Sequence, residues 1–266
     1  MSRTSQIEDF LASAGWPGAD HVTLAADASF RRYERVTRPG ERAVLMDAPP
    51  DREDIRPFIR IASQLSAMGF SAPRLLAEDT GAGFLLLEDL GDATFSRLMD
   101  AGEKALPLYE LATDVLIDLH RAPAADAVPR GTPVYDDALL LTEALLLTEW
   151  YLPAVSGQSA TEAAVAAYRD VWAELLPRAR HVPDTLVLRD FHVDNLMRIA
   201  EREGTAACGL LDFQDAVEGP VSYDFVSLLE DARRDVDDGV RAASRDRYLA
   251  AFPGLDPDAF DISCVI

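Results

Sequence analysis

The sequence predicts an α+β chain: a small, antiparallel β-rich N-terminal lobe over residues 1–90, and a larger, mainly helical C-terminal lobe over residues 91–266. Three observations carry this. Over the first ninety positions, short apolar or alternating runs are separated by turn residues, as in strands. Beyond Gly91 the apolar residues recur at helical spacing. Within that helical region a block from Thr185 to Phe213 returns to strand-like runs.

In chain order, "HVTLAAD" and "FRRYERV" read as strands flanking a short polar break, and "ERAVLMDAPP" as a strand stopped by Pro49 and Pro50. Phe58, Ile61, Ala62, Leu65 and Met68 give the one helix of this lobe, with Gly69 as its stop. "GFLLLEDLG" is the last strand, and "LLLEDLGD" joins the lobes. Next, Leu108, Leu111, Ala112, Val115, Leu116 and Leu119 form one apolar helix face. Ala160, Ala163, Ala164, Ala167, Tyr168, Val171, Trp172 and Leu175 form another, and the Pro- and Ala-rich "RAPAADAVPRGTP" is a loop. The β island reads "TLVLRD", "NLMRI" and "CGLLDF", after which "YDFVSLLEDA" resumes helix.

With 48% hydrophobic residues in 266, the chain has material for a sizeable core. A formal net charge of −21 argues against nucleic acid as a partner, because a phosphate backbone is bound by clustered Lys and Arg. Two cysteines without a C-x-x-C, and four histidines, support neither a disulfide framework nor a zinc site, and fit a reducing cytoplasm. No signal-peptide pattern opens the chain and no window reaches the about 20 apolar residues that span a bilayer, so no membrane association is expected. The chain stops on the apolar "FDISCVI", without a polar tail, and further sequence is expected after it.

The chemistry concentrates in "LVLRDFHVDNLM", where an apolar run delivers acids, a histidine and an asparagine. Asp190 stands at a strand exit, Asn195 five positions on, and Asp212 at the end of "CGLLD"; the residues between suffice for a hairpin that returns Asp212 to the same edge. Mg²⁺ prefers one or two carboxylates with amide, water and phosphate oxygens, which suits Asn195 and Asp212 and leaves Asp190 as a base. This is a layout for phosphoryl transfer.

"RDFHVDN" resembles the D-x-H-x-x-N catalytic loop of the aminoglycoside phosphotransferase and choline kinase superfamily, and "LLDFQDAVEGPVSYDF" resembles its metal-binding segment. "DASFRRY", "LMDAPP" and "LDFQDAVEGPVSYD" are similar to the anomeric kinases of N-acetylmuramate and N-acetylglucosamine in bacterial cell-wall sugar recycling. The resemblance implies a two-lobed protein-kinase-like fold, ATP and Mg²⁺ as cofactors, Asp190 as catalytic base, and Asn195 and Asp212 as metal ligands. Asp224 would support the catalytic loop and His192 would orient it, next to the sugar. Asp194 and Asp215 read equally well as solvated or capping acids.

For the nucleotide, Glu88 and Leu90 of "EDLGD" match a hinge offering backbone groups to an adenine edge. No G-x-G-x-x-G is present; "DASFRRY" stands in its place, where Ser29, Phe30 and neighbouring amides would cover phosphates. Met46 occupies the position at which kinase-like chains carry a phosphate-binding lysine, so Arg31 or Arg32 is expected to supply the charge, and only one can face the site from a strand. For the sugar, Glu143 and Trp150, seven apart on one helical face, pair an aromatic with a carboxylate; a core helix explains the same pattern. The expected activity is ATP-dependent phosphorylation of the anomeric hydroxyl. The alternatives are another small-molecule kinase (aminoglycoside, choline or homoserine type) and a nucleotide-binding pseudokinase scaffold.

Overall fold

Short runs with a period of two fold into an antiparallel sheet in the computed structural model, which describes residues 2–24 and 30–266. After helix α1 (Arg3–Ser13) come β1 (Asp20–Thr23), β2 (Arg32–Arg38), β3 (Glu41–Asp47), helix α2 (Arg56–Ala67), β4 (Leu75–Asp79) and β5 (Phe84–Glu88), with sheet order β1-β2-β3-β5-β4. Because side chains alternate, Val36, Ala43, Leu45, Phe84 and Leu86 share one face and pack with Ile7, Phe10 and Leu11 of α1. Tyr33, Arg35, Val44, Met46 and Leu87 take the opposite face. Helix α1 and strand β4 were not expected: α1 offers only Ile7, Phe10 and Leu11 as buried apolar positions among polar neighbours, and β4 buries little.

The chain groups into two compact units, residues 1–104 with 193–215, and residues 105–192 with 216–266. The division thus differs from the expected break after residue 90. Helix α3 (Phe95–Asp100) stays with the sheet, and a later piece of chain joins it.

In the second unit, α4 (Ala105–Arg121) buries Leu108, Ala112, Val115, Leu116 and Leu119, as its spacing predicts. A single turn, α5 (Ala124–Ala127), interrupts the loop expected over the Pro- and Ala-rich stretch. The run α6 (Asp137–Leu146), a π-helical stretch Leu147–Tyr151, and α7 (Leu152–Ser156) follow. Among the described residues this 20-residue run is long and apolar enough to cross a membrane by length and composition alone. It is interrupted by Glu143 and Glu149. Helix α8 (Glu162–Ala179) also departs from expectation: its apolar spacing is made largely of alanines, and only Leu176 and Ala179 are buried.

The β island folds as two pairs. Strand β6 (Asp184–Val187) pairs with β9 (Val217–Pro220), an unexpected strand, within the second unit. Strands β7 (Leu196–Arg198) and β8 (Cys208–Leu210) form an antiparallel hairpin in the first unit. Helices α9 (Ser222–Leu229), α10 (Asp238–Ala251) and α11 (Pro257–Val265) complete the fold, with Phe225, Tyr248 and Phe260 in mutual ring contact at 5.0–5.3 Å. Both cysteines are free, as expected.

Candidate active site

The hairpin β7–β8 positions Asn195 and Asp212. Leu210 donates its amide to Ser71 O at 2.9 Å, Arg198 donates to Ala93 O at 2.8 Å, and the Ser71 hydroxyl donates to Ala206 O at 2.6 Å, so the hairpin is stitched to the sheet-bearing unit at both ends. A Cβ at Gly209 would meet Leu90 Cδ1 at 2.8 Å and Met197 Cβ at 3.0 Å, so a side chain there would have to displace its neighbours. Where the hairpin opens, Leu211 donates to Asn195 O at 3.0 Å, bringing Asn195 and Asp212 to neighbouring positions at one edge. That is the return expected from their spacing. Asp212 has φ 58°, a left-handed conformation that a short polar side chain tolerates, and its carboxylate accepts from Gln214 Nε2 at 2.7 Å.

Asn195 and Asp212 line a cavity of about 410 Å³ within this unit. Leu24, Val44, Phe58, Leu87, Leu90, Met197 and Leu211 give it apolar walls, with Tyr33, Arg35, Glu88, Asp89 and Gly91 at the edge. The volume and the few polar groups suit a small molecule with a flat apolar part. Glu88 and Leu90 both line the cavity, where the sequence put the hinge. The Glu88 carboxylate is taken by Arg74 at 3.2 Å and Arg202 at 2.6 Å, and its amide donates to Arg74 O. Beside it the Asp89 side chain, 2% exposed, holds the Arg35 guanidinium in a two-pronged bond at 2.7 and 3.1 Å. Arg35 also bonds Asp92, holding that carboxyl below the ordinary carboxylate range.

The loop before β2 places the two arginines differently. Arg32 is exposed, whereas Arg31 shares the parity of cavity-lining Tyr33 and Arg35 and is mostly covered. Its guanidinium stands 4.0 Å from Asp212 Oδ1 and 4.0 Å from Glu53 Oε2. Glu53 also accepts the Phe30 amide at 3.1 Å, while the Phe30 ring is 57% exposed beneath Arg52. Ser29 lies outside the described residues. Met46, expected among the nucleotide contacts, is fully buried and is not among the residues lining the cavity: two residues beyond Val44 on the same face, it lies between Tyr33 and Leu85 in the sheet.

The second unit holds Asp190. The buried Asp224 accepts the amides of Leu188 at 2.6 Å and Arg189 at 2.9 Å, which fixes the backbone as it leaves β6. Burial pushes the Asp224 carboxyl up to about 7 against the pull of those two bonds, and the charge of Asp190 adds to the rise. Asp190 itself is part-exposed, and His192, buried, donates its amide to Asp190 O at 3.1 Å. Asp194 and Asp215 are exposed, and Asp215 accepts from Gln214 at 3.2 Å. Glu143 and Trp150 are not brought together. Glu143 accepts from the Tyr135 hydroxyl and the Arg189 guanidinium, whereas Trp150, 73% exposed, sits in the π-helical stretch that breaks the seven-residue repeat between them.

Sequence reasoning missed Arg35, Asp89 and Glu53. The alternation of Arg31, Tyr33 and Arg35 was a usable signal for the first. Asp89 and Glu53 find their partners across long chain separations, and no local pattern reveals that.

The phosphotransferase enzyme family model matches residues 20–259. The N-acetylmuramate/N-acetylglucosamine kinase of Caulobacter vibrioides is 38% identical, with 94% of this chain and 78% of that protein covered. The protein of the same name in Pseudomonas aeruginosa is 37% identical over 86% of this chain, which spans 65% of that relative's length. Among solved structures, an aminoglycoside phosphotransferase from Streptomyces rimosus, in complex with ADP and streptomycin, shares the fold with a TM-score of 0.65 at 15% identity, covering 99% of this chain and 97% of that one. With the family model spanning most of its length and a relative 38% identical over 94% of it, the chain belongs to the phosphotransferase enzyme family.

Proposed function

We propose that this chain transfers the γ-phosphoryl group of ATP to the anomeric hydroxyl of N-acetylmuramate and N-acetylglucosamine. The observation that carries the reading is the 38% identity, over 94% of the chain, to a relative bearing that name. The residues support it chemically. A carboxylate and an amide oxygen, Asp212 and Asn195, are the donor set that Mg²⁺ accepts alongside phosphate oxygens, and both stand at the rim of an apolar cavity. When bound there, the ion neutralises charge on the phosphates. Val44, Met197 and Leu211 enclose the base, Glu88 and Leu90 present the hinge edge, and Arg31 supplies the cation that Met46 cannot.

Asp190 accepts the proton of the sugar hydroxyl. A hemiacetal hydroxyl is more acidic than an ordinary alcohol, because the ring oxygen withdraws charge, so a plain carboxylate suffices as its base. Phosphoryl transfer relies on positioning and charge neutralisation more than on nucleophile strength. His192 and Asp224 hold the loop.

The test follows ADP release with ATP, Mg²⁺ and a panel of amino sugars, aminoglycosides and choline. Turnover with the two N-acetyl sugars is expected, and phosphorus NMR should find a phosphate coupled to the anomeric proton. Asp190→Asn should lower turnover by about two to four orders of magnitude while nucleotide affinity is nearly kept. A product phosphorylated on the primary hydroxyl refutes the site of transfer, and near-normal turnover of Asp190→Asn refutes the base.

A further inference from the structure

Arg189 precedes Asp190 and carries φ 70°, a left-handed conformation that costs a side chain with a Cβ and suits glycine. Among the described residues only Asp212 shares this feature outside glycine. Such a conformation persists where its surroundings over-determine it. Here four groups of the second unit do so. Asp224 accepts the Arg189 amide at 2.9 Å, and the Ser227 hydroxyl donates to its carbonyl at 3.2 Å. Glu143 takes the guanidinium, and the Tyr135 ring lies 5.8 Å from it. Glu143 has both oxygens engaged, one by Arg189 and the other by the Tyr135 hydroxyl, and Tyr135 is buried against Tyr223 at 5.0 Å between ring centres. An anchored carboxylate thus grips a side chain whose backbone turns the chain into Asp190.

We propose that the Glu143–Arg189 ion pair is a positioning device: it holds residue 189 in the left-handed conformation and thereby aims the Asp190 carboxylate. This rests on the reading of Asp190 as the proton acceptor. It also gives Glu143 a different task from the sugar contact expected of it: each of its oxygens accepts from a residue of its own unit.

Two substitutions at one position separate backbone from side chain. Glycine adopts φ 70° freely and alanine does not, while both delete the guanidinium. With saturating ATP and Mg²⁺, Arg189→Ala is expected to lower kcat about thirty-fold, with the sugar KM held within about two-fold, as for a misaimed base. Arg189→Gly is expected to recover kcat to within about five-fold of the parent protein, because the left-handed turn needs no clamp there. Glu143→Gln should lower kcat about ten-fold at an unchanged sugar KM. Equal kcat losses in the Ala and Gly variants, or a rise in sugar KM as the main effect of Glu143→Gln, overturn the proposal and make these groups substrate contacts. Thermal denaturation needs no substrate: Arg189→Gly should unfold at a higher temperature than Arg189→Ala, and the reverse order also overturns it. If the parent protein phosphorylates no sugar, the functional reading fails, and the order of the two unfolding temperatures still decides whether the clamp holds a strained turn.

Discussion

Arg31 and Arg32 are chemically identical and adjacent in sequence, and they differ in their surroundings: Arg31 lies in the loop before β2 and is mostly covered, whereas Arg32 opens the strand and is exposed. Arg31 stands between Glu53 and Asp212, in register with the cavity, while Arg32 points to solvent. A charge-assisted contact to a phosphate contributes roughly 1.5–3 kcal/mol. Arg31→Ala should therefore raise the KM for ATP about ten-fold or more, and Arg32→Ala should leave it within about two-fold. Steady-state kinetics at fixed sugar checks this, and equal effects at both positions would remove Arg31 from the site. The sequence alone narrowed the choice to two residues and stopped there, because the alternation of a strand fixes relative faces and not which face meets the ligand. The return of Asp212 beside Asn195 was legible for a different reason: an acid and an amide at strand ends, spaced to meet across a hairpin, are a local pattern. Asp89 was invisible, since its partner Arg35 lies 54 positions away.

At the scale of elements, the hairpin β7–β8 carries both the Asn195–Asp212 edge and a cavity wall, and Gly209 allows it to close on Leu90. Gly209→Val should displace Leu90 and Met197 and cost about 1–3 kcal/mol of stability. Unfolding temperature and ATP affinity, followed by thermal denaturation and calorimetry, should fall together; a drop in stability with unaltered affinity would detach the hairpin from nucleotide binding. The α4–α10 pair carries a pH dependence. His120 on α4 is buried, its Nδ1 2.7 Å from the Tyr248 hydroxyl on α10, and burial holds its pKa down at about 3. Unfolded, the ring protonates near 6.5, so the folded form binds the proton more weakly. The stability tied to the neutral ring is complete above pH 6.5 and is lost as pH falls toward 3, by on the order of 1.4 kcal/mol per pH unit. His120→Gln should flatten this part of the profile in denaturation midpoints measured from about pH 7.5 to about 4.5. Helix α4 was legible because Leu and Val at its buried positions leave no doubt about the face. Helix α8 misled because alanines repeat at helical spacing without much area to bury, and the π-helical stretch shifted Trp150 away from Glu143 by a register that no spacing rule anticipates.

Over the whole molecule, 46 acidic residues oppose 25 basic ones, and the net charge of −21 repels itself in the folded state. Salt shortens the screening length from about 30 Å at 0.01 M to about 8 Å at 0.15 M. The unfolding temperature should therefore rise across that range, and a fall would mean that the ion pairs outweigh the excess charge. The arrangement of chain in the first unit has a consequence for biosynthesis. Its sheet ends before residue 104, but Asn195, Met197, Leu211 and Asp212 belong to the same unit and are made only after residues 105–192. A ribosome that has delivered the sheet has delivered one wall of the cavity, and the nascent chain must carry its open face through the synthesis of more than half of the second unit. A ligand that needs both walls of the cavity therefore cannot assist the early folding of this unit, and any co-translational rescue by such a ligand must wait until residue 212 has emerged.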